Sequence, residues 1–327
     1  MSNNTIEMKK NLSFLKKVSG MGNTLSLAIA LILLSSVWAV LSPYFLTLQN
    51  IMNVLMFASI LAIRASGLTI SMILGGLDSS QNAIGAVTAL LAALASAAGA
   101  PWWIVLLMVL GLGILMGAVN STLITIFKIA PIITTLGTMQ IFRGVAWLIK
   151  DATVMVKDPI LIRLGRGRLF GVIPYIGLIA IAILGITYYI LKFTTFGRKV
   201  YMVGGNEQAS FLSGINSNRV KFIAFIISGL TAGIAGFLLA CQVGAALPQS
   251  GAGTEMATIS AVILGGISLA GGKGKIAGTI LGVLILQIIN NGLTLLSVNA
   301  YFQMVVSGGV LLLAVMIDII RSGMLKK

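Results

Sequence analysis

The chain has 327 residues, 58% of them hydrophobic and only 9% charged, with a mean hydropathy of +1.06; ordinary soluble domains carry roughly 25% charge. A soluble enzyme is excluded, and about 20 apolar residues per crossing leave room for on the order of ten spanning helices. With no His and one Cys, the usual zinc, haem and iron-sulfur ligand sets are absent, as is His-based acid-base chemistry. No catalytic residue, metal site or cofactor is expected in the chain itself.

In chain order, residues 1–23 carry Lys9, Lys10, Lys16 and Lys17 and read as a cytoplasmic segment before a retained first helix rather than a signal peptide. Apolar runs predict helices at 24–42, 51–74, 82–99, 102–128, 131–149, 173–192, 220–242, 257–271, 276–297 and 301–320. The expected fold is therefore all-α, a polytopic membrane protein with a permease domain over 24–320 and a cytoplasmic tail at 321–327. Ten crossings place both termini on one side. Fifteen of the 22 Lys and Arg then collect on that side, as the positive-inside rule requires. The formal charge of +15 thus reads as topology, with membrane lipid as a partner, and not as a nucleic-acid face.

Four features stand out along this frame. The runs at 82–99 and 257–271 are short or Gly-rich, like broken or re-entrant helices that line a cavity. Residues 73–94 resemble 263–286, either through internal duplication or because two Gly-rich helix junctions match by composition. Arg64 lies in an apolar run, where an isolated cation in hydrocarbon would cost at least a few kcal/mol. It must face protein or water, and Asp78, fourteen residues on, lies about 21 Å away along a continuous helix, so a partner on another helix is expected. Cys241, within GFLLACQVG, reads as an inert packing thiol.

The outer loop over 150–172 breaks the charge bias with Lys150, Lys157, Arg163, Arg166 and Arg168 against Asp151 and Asp158. Either the topology is misread there or the outward charges have a use. The polar segment over 193–219 has Gly204 and Gly205 as breaks, Asn206 as a cap, Glu207 and Gln208 in a first turn and Gly214 as a stop, which predicts a short helix over 206–213. Its apolar face of Ala209, Phe211 and Leu212 either rests on the bilayer or fits a partner's groove.

The run TTFGRKVYMVGGNEQASFLSGINSNRVKFIAFIISGLTAGIAG closely resembles the coupling segment of the ribose-type permeases, the membrane subunits of bacterial ATP-binding-cassette sugar importers. TEMATISAVILGGISLAGGKGKIAGTILGVLILQIINNGLTLLSVNAYFQ, from Thr254, and PIITTLGTMQIFRGVAWLI, at 131–149, are similar to two further blocks of that family. One departure stands out: where the family commonly reads Gly-Gly-Ile-Asp-Leu-Ser-Val-Gly, this chain has Gly75-Gly76-Leu77-Asp78-Ser79-Ser80-Gln81-Asn82.

The resemblance implies a permease subunit of the bacterial cytoplasmic membrane, forming the pathway with a second permease copy. It also implies an ATP-binding subunit that holds ATP and Mg, and a periplasmic or lipid-anchored sugar-binding protein. Gly205, Asn206, Glu207, Ala209 and Gly214 would enter the ATP-binding subunit. Asp78, Gln81, Asn82, Thr134, Thr135, Gln140, Asn290 and Asn291 would line the pathway or instead satisfy neighbouring helices. Arg163, Arg166 and Arg168 would dock the binding protein. Gly271-Gly272-Lys273-Gly274-Lys275 lacks the spacing and the Ser or Thr of a phosphate-binding loop, so the motor lies elsewhere. A self-contained secondary transporter is the competing reading, with Asp78 and Glu255 as its candidate coupling carboxylates. An intramembrane hydrolase fails for want of His and of a paired-carboxylate motif.

Overall fold

A computed structural model describes residues 23–322. The expectations on residues 1–22 and 323–327, including the N-terminal lysines, lie outside the described residues. The helices are α1 (Asn23–Leu41), α2 (Leu48–Ile73), α3 (Gln81–Ala97), α4 (Trp102–Thr125), α5 (Pro131–Ile149), α6 (Pro159–Arg166), α7 (Tyr175–Phe193), α8 (Thr195–Gly205), α9 (Glu207–Leu212), α10 (Ser217–Val243), α11 (Glu255–Leu264), α12 (Ile276–Leu295) and α13 (Ala300–Ser322). The short strands β1 (Val154–Met155) and β4 (Ala245–Ala246) pair antiparallel, as do β2 (Arg168–Leu169) and β3 (Ile173–Pro174).

Seven of these helices are long and apolar enough to cross a membrane, and α3, α11 and part of α13 are shorter apolar helices. Each of the ten predicted spans therefore has a helix, and the all-α polytopic fold holds. Two boundaries need correction. The span at 257–271 is helical only to Leu264, because Gly265 and Gly266 turn the chain there. The segment before Asn206 is not loop but α8, whose Thr194 hydroxyl caps it by accepting from the Gly197 N–H at 3.1 Å.

Contacts define two ends. The upper end joins the ends of α1, α3, α5, α10 and α12 to the start of α2: Asn50 and Asn291 exchange amide bonds of 2.9 and 2.8 Å, Ser96 Oγ accepts from the N–H groups of Lys157 and Asp158, and β1 pairs with β4. The lower end joins α8 to the ends of α2 and α4 and the start of α10: the Gly272 N–H donates to Ile73 O at 2.7 Å, Tyr201 Oη donates to Gly274 O, and Lys128 Nζ to Asn218. Helix α10 is the central post, packed against α2, α3, α4 and α6. Its seam with α4 is closed by glycine, since a Cβ on Gly229 would stand 2.5 Å from Gly113 O.

The apolar core comes in two parts. Ile60 and Ile63 of α2 join α3 and the upper half of α10 in one cluster, while Leu68, Ile70, Met72 and Ile73 join α8, α11 and α12 in the other. Polar groups gather near the level at which the two meet.

Candidate functional site: a polar belt between two half-helices

Helix α3 has 17 residues and α11 has 10, and both begin inside the bundle. Gln81, the first residue of α3, donates through Nε2 to Arg64 O at 3.2 Å and to Ser228 Oγ at 2.8 Å, which fixes the start of α3 part-way along α2 and α10. Thr254, just before α11, takes Arg64 NH1 at 3.0 Å and Asn82 Nδ2 at 2.9 Å on its hydroxyl. From this shared level α3 runs to the upper end and α11 to the lower. Neither helix has a side-chain N-cap, so their first N–H groups face each other's surroundings without the usual partner.

Two hydrogen-bonded groups occupy the belt. In the first, Asp78 accepts from Ser80 N (3.0 Å), Ser80 Oγ (2.6 Å) and Ser228 Oγ (2.6 Å); Asn120 Nδ2 donates to Ser80 Oγ at 2.7 Å, and Thr138 Oγ1 to Asn120 Oδ1 at 2.6 Å. Every member is buried. This chain of bonds ties α3, α4, α5 and α10 together through a carboxyl group that accepts from two hydroxyls and one backbone N–H.

The second group opens to the surface. Asn82 Nδ2 lies 2.8 Å from Glu255 Oε2 and 2.7 Å from Gly251 O, and Arg143 NH1 donates to Pro248 O at 2.7 Å and Ser250 O at 3.3 Å. Asn82 and Arg143 thereby clamp the segment 247–254, in which Gly251 and Gly253 have left-handed φ. Thr254 is exposed and Arg143 and Glu255 are half-buried. Sequence reading noted Glu255 only as a candidate coupling carboxylate and passed over Arg143, Ser228 and Asn120; a cation or amide in an apolar run was the signal for Arg143 and Asn120. As expected, Arg64 finds its partner on another element, and not at Asp78.

The remaining predicted pathway residues are dispersed. Thr135 Oγ1 donates to Leu77 O at 3.0 Å, Thr134 is buried with no partner for its hydroxyl among the described residues, Gln140 stands on the exposed face of α5, and Asn290 and Asn291 lie at the upper end.

At the lower end α9 begins at Glu207 with Asn206 Oδ1 accepting from the Ala209 N–H at 2.9 Å, and the chain reverses at Gly214 with φ 78°. Gly205, Asn206, Glu207, Ala209 and Gly214 are all exposed. Phe211 and Leu212 are exposed by 72% and 86% and border a groove of about 920 Å³ shared with Lys128, Gln208 and Asn218. Glu207 pairs with Lys221 at 2.6 Å. Helix α8 seats this element: a Cβ on Gly204 would lie 1.8 Å from Ile73 O and 2.8 Å from Gly272 N, so only glycine lets α8 touch both the end of α2 and the loop after α11.

At the upper end Arg163, Arg166 and Arg168 sit on α6 and β2. Arg166 Nε donates to Gln242 O at 2.8 Å and its NH2 to Val243 O, closing the last carbonyls of α10. Arg168 reaches Gln49 at 3.4 Å. Arg163 is exposed, with no side-chain hydrogen bond among the described residues.

A bundle of apolar helices with two half-helices starting at one internal polar level, and polar or charged elements at both ends, defines a multi-pass membrane transport protein. Residues 50–315 match the family of permease components of branched-chain amino acid transport systems, and the chain belongs to that family. It is 38% identical to the ribose import permease protein RbsC of Escherichia coli K12 over 295 residues, covering 89% of this chain and 92% of that one. It is 37% identical to the ribose import permease of Bacillus subtilis 168 over 313 residues, 95% of this chain and 96% of that one. It is also 34% identical to the D-allose transport system permease of E. coli K12, covering 88% of this chain and 89% of that one. No solved structure matches.

Proposed function

We propose that this chain is the membrane subunit of an ATP-driven sugar importer, working beside a second permease copy. An ATP-binding subunit would sit on α8 and α9 and a sugar-binding protein on the upper loop. The observation that carries the reading is the coupling element: a capped six-residue helix with exposed Phe211 and Leu212, seated by Gly204 against the ends of the belt-bearing elements. A helix that only rested on the bilayer would need no such seat. The relatives' names, ribose and D-allose permeases, support a sugar as cargo.

Lys128, Lys192, Arg198, Lys199, Arg219, Lys221, Lys273 and Lys275 cluster toward the lower end, which supports a cytoplasmic lower end. With an even number of crossings both termini belong there too. The polar solute would pass Arg143, Thr254 and Glu255, with Asn290 and Asn291 above. Asn82 stands beside them, bonded to Thr254 and Glu255, while Asp78, Gln81, Thr134 and Thr135 stand behind, and Gln140 faces the second copy.

The test uses the complex reconstituted in proteoliposomes. Ala209→Arg or Gly214→Val is expected to abolish solute-stimulated ATP hydrolysis and uptake while the chain still folds and inserts. Wild-type coupling in both variants, or uptake driven by a proton or sodium gradient without the ATPase, would overturn the reading.

A further inference from the structure

Arg64 is only 4% exposed. Among the described residues no carboxylate lies within 4.0 Å of it, because the only ion pair is Lys221–Glu207. Its single side-chain bond uses NH1, on Thr254; Nε is buried without an acceptor. Beside it Asn82, 1% exposed, has a buried Oδ1 with no donor. The charges that act on Arg64 are Glu255 and a second cation, Arg143, so two guanidinium groups share one carboxylate, and Glu255 is already bonded to Asn82. Asp78 makes no bond to Arg64: its oxygens accept from Ser80 and Ser228.

To this excess of positive charge the two uncapped helix starts add their own, about half an elementary charge each. Arg64 NH2 and Asn82 Cγ stand within 3.8 Å of the side-chain position of Gly251, next to exposed Ala252, Gly253 and Thr254, so the segment 247–254 covers the group and its displacement would open the group to the surface. A structural clamp would be fully paired, and the clamping is already done by Asn82 and Arg143, which hold three carbonyls of the segment.

Resting on the importer reading, we propose that Arg64 and Asn82 form a recognition site for the carboxylate of a sugar acid. The guanidinium edge left free, Nε with NH2, matches a carboxylate bidentately. Asn82 Oδ1 accepts from a neighbouring hydroxyl of the same molecule. Asn82 also stands where the ribose-type pattern carries Gly, so this acceptor is among the residues by which the chain departs from neutral-sugar permeases.

The full-length chain, purified with its ATPase partner in neutral-lipid nanodiscs, is dialysed to equilibrium against radiolabelled gluconate or glucose. Wild type is expected to retain gluconate at least tenfold more tightly than glucose, Arg64→Met to lose that difference, and Arg64→Lys, which keeps the charge but not the fork, to fall between them. Arg64→Met should melt no lower than wild type, because an unpaired buried charge is replaced by a side chain suited to an apolar helix; a structural clamp predicts a lower melting point. Gluconate held no better than glucose, held equally by Arg64→Met, or displaced equally by chloride overturns the proposal. ATP hydrolysis coupled through α9, measured on the same complex, reports separately on the importer reading, so loss of the carboxylate site with coupling intact refutes this inference alone.

Discussion

Asp78 was conspicuous in the sequence as a carboxylate in an apolar chain, with Ser80 two residues on, but the rest of its group was not, because Asn120, Thr138 and Ser228 come from separate helices and share no periodicity. Each lies in a largely apolar helix, and sequence alone does not say which of them meet. The geometry gives Asp78 three donors and no cation, so its removal leaves buried hydroxyls and an amide without an acceptor. Each unsatisfied group costs about 1–3 kcal/mol. Asp78→Ala is therefore expected to lower the melting point of the purified chain by several degrees, and Ser228→Ala by less. A melting point unchanged in both would mean that the bonds between α3, α4, α5 and α10 contribute nothing to holding the belt.

At the scale of elements, the likeness between 73–94 and 263–286 has a local cause. Helix α2 ends with Gly75 N–H on Met72 O and Gly76 N–H on Ser71 O, and α11 ends with Gly266 N–H on Ile263 O and Ile267 N–H on Val262 O; Gly75 and Gly266 have φ of 78° and 87°. Both are Schellman endings, which need a residue at ease with positive φ. The same bonds close α3 at Gly99 and α9 at Gly214, so the match is a shared helix ending and not by itself a duplication.

Helix α9 was legible for the same reason, since its cap and its stop are local. Helix α8 was not, because FGRKVYMVGG has no apolar run of spanning length and two glycines that read as breaks. One of those glycines serves contact, not chain reversal. Gly204→Ala is expected to cut ATP-coupled uptake at least tenfold, while Gly205→Ala, whose added Cβ meets nothing within 4 Å, should leave it near wild type. Equal activity of the two variants in proteoliposomes would remove Gly204 from the transmission route.

Over the whole molecule, the coupling element and the basic loop occupy opposite ends, with the belt between them, and α11 links the two levels: its start is held by Asn82 and its following loop is held by Ile73 and Gly204. A push on α9 thus has a packed path to the segment 247–254. The basic loop divides by role. Arg166 is committed to the C-terminus of α10, where a cation is favoured, and Arg168 leans on Gln49, leaving Arg163 as the arginine free to meet a partner. Docking by an exposed charge is screened over about 8 Å at physiological ionic strength and about 3 Å at 1 M, and acts mainly on encounter. Arg163→Gln is accordingly expected to weaken binding-protein affinity about two- to fivefold at low salt, the range of an exposed ion pair, and to converge with wild type as salt rises. Arg166→Gln should instead lower the melting point by opening the end of α10. The affinities are to be measured across a salt series in nanodiscs of neutral lipid, where headgroup charge cannot contribute. Wild-type affinity and salt slope in Arg163→Gln would move the docking surface away from α6.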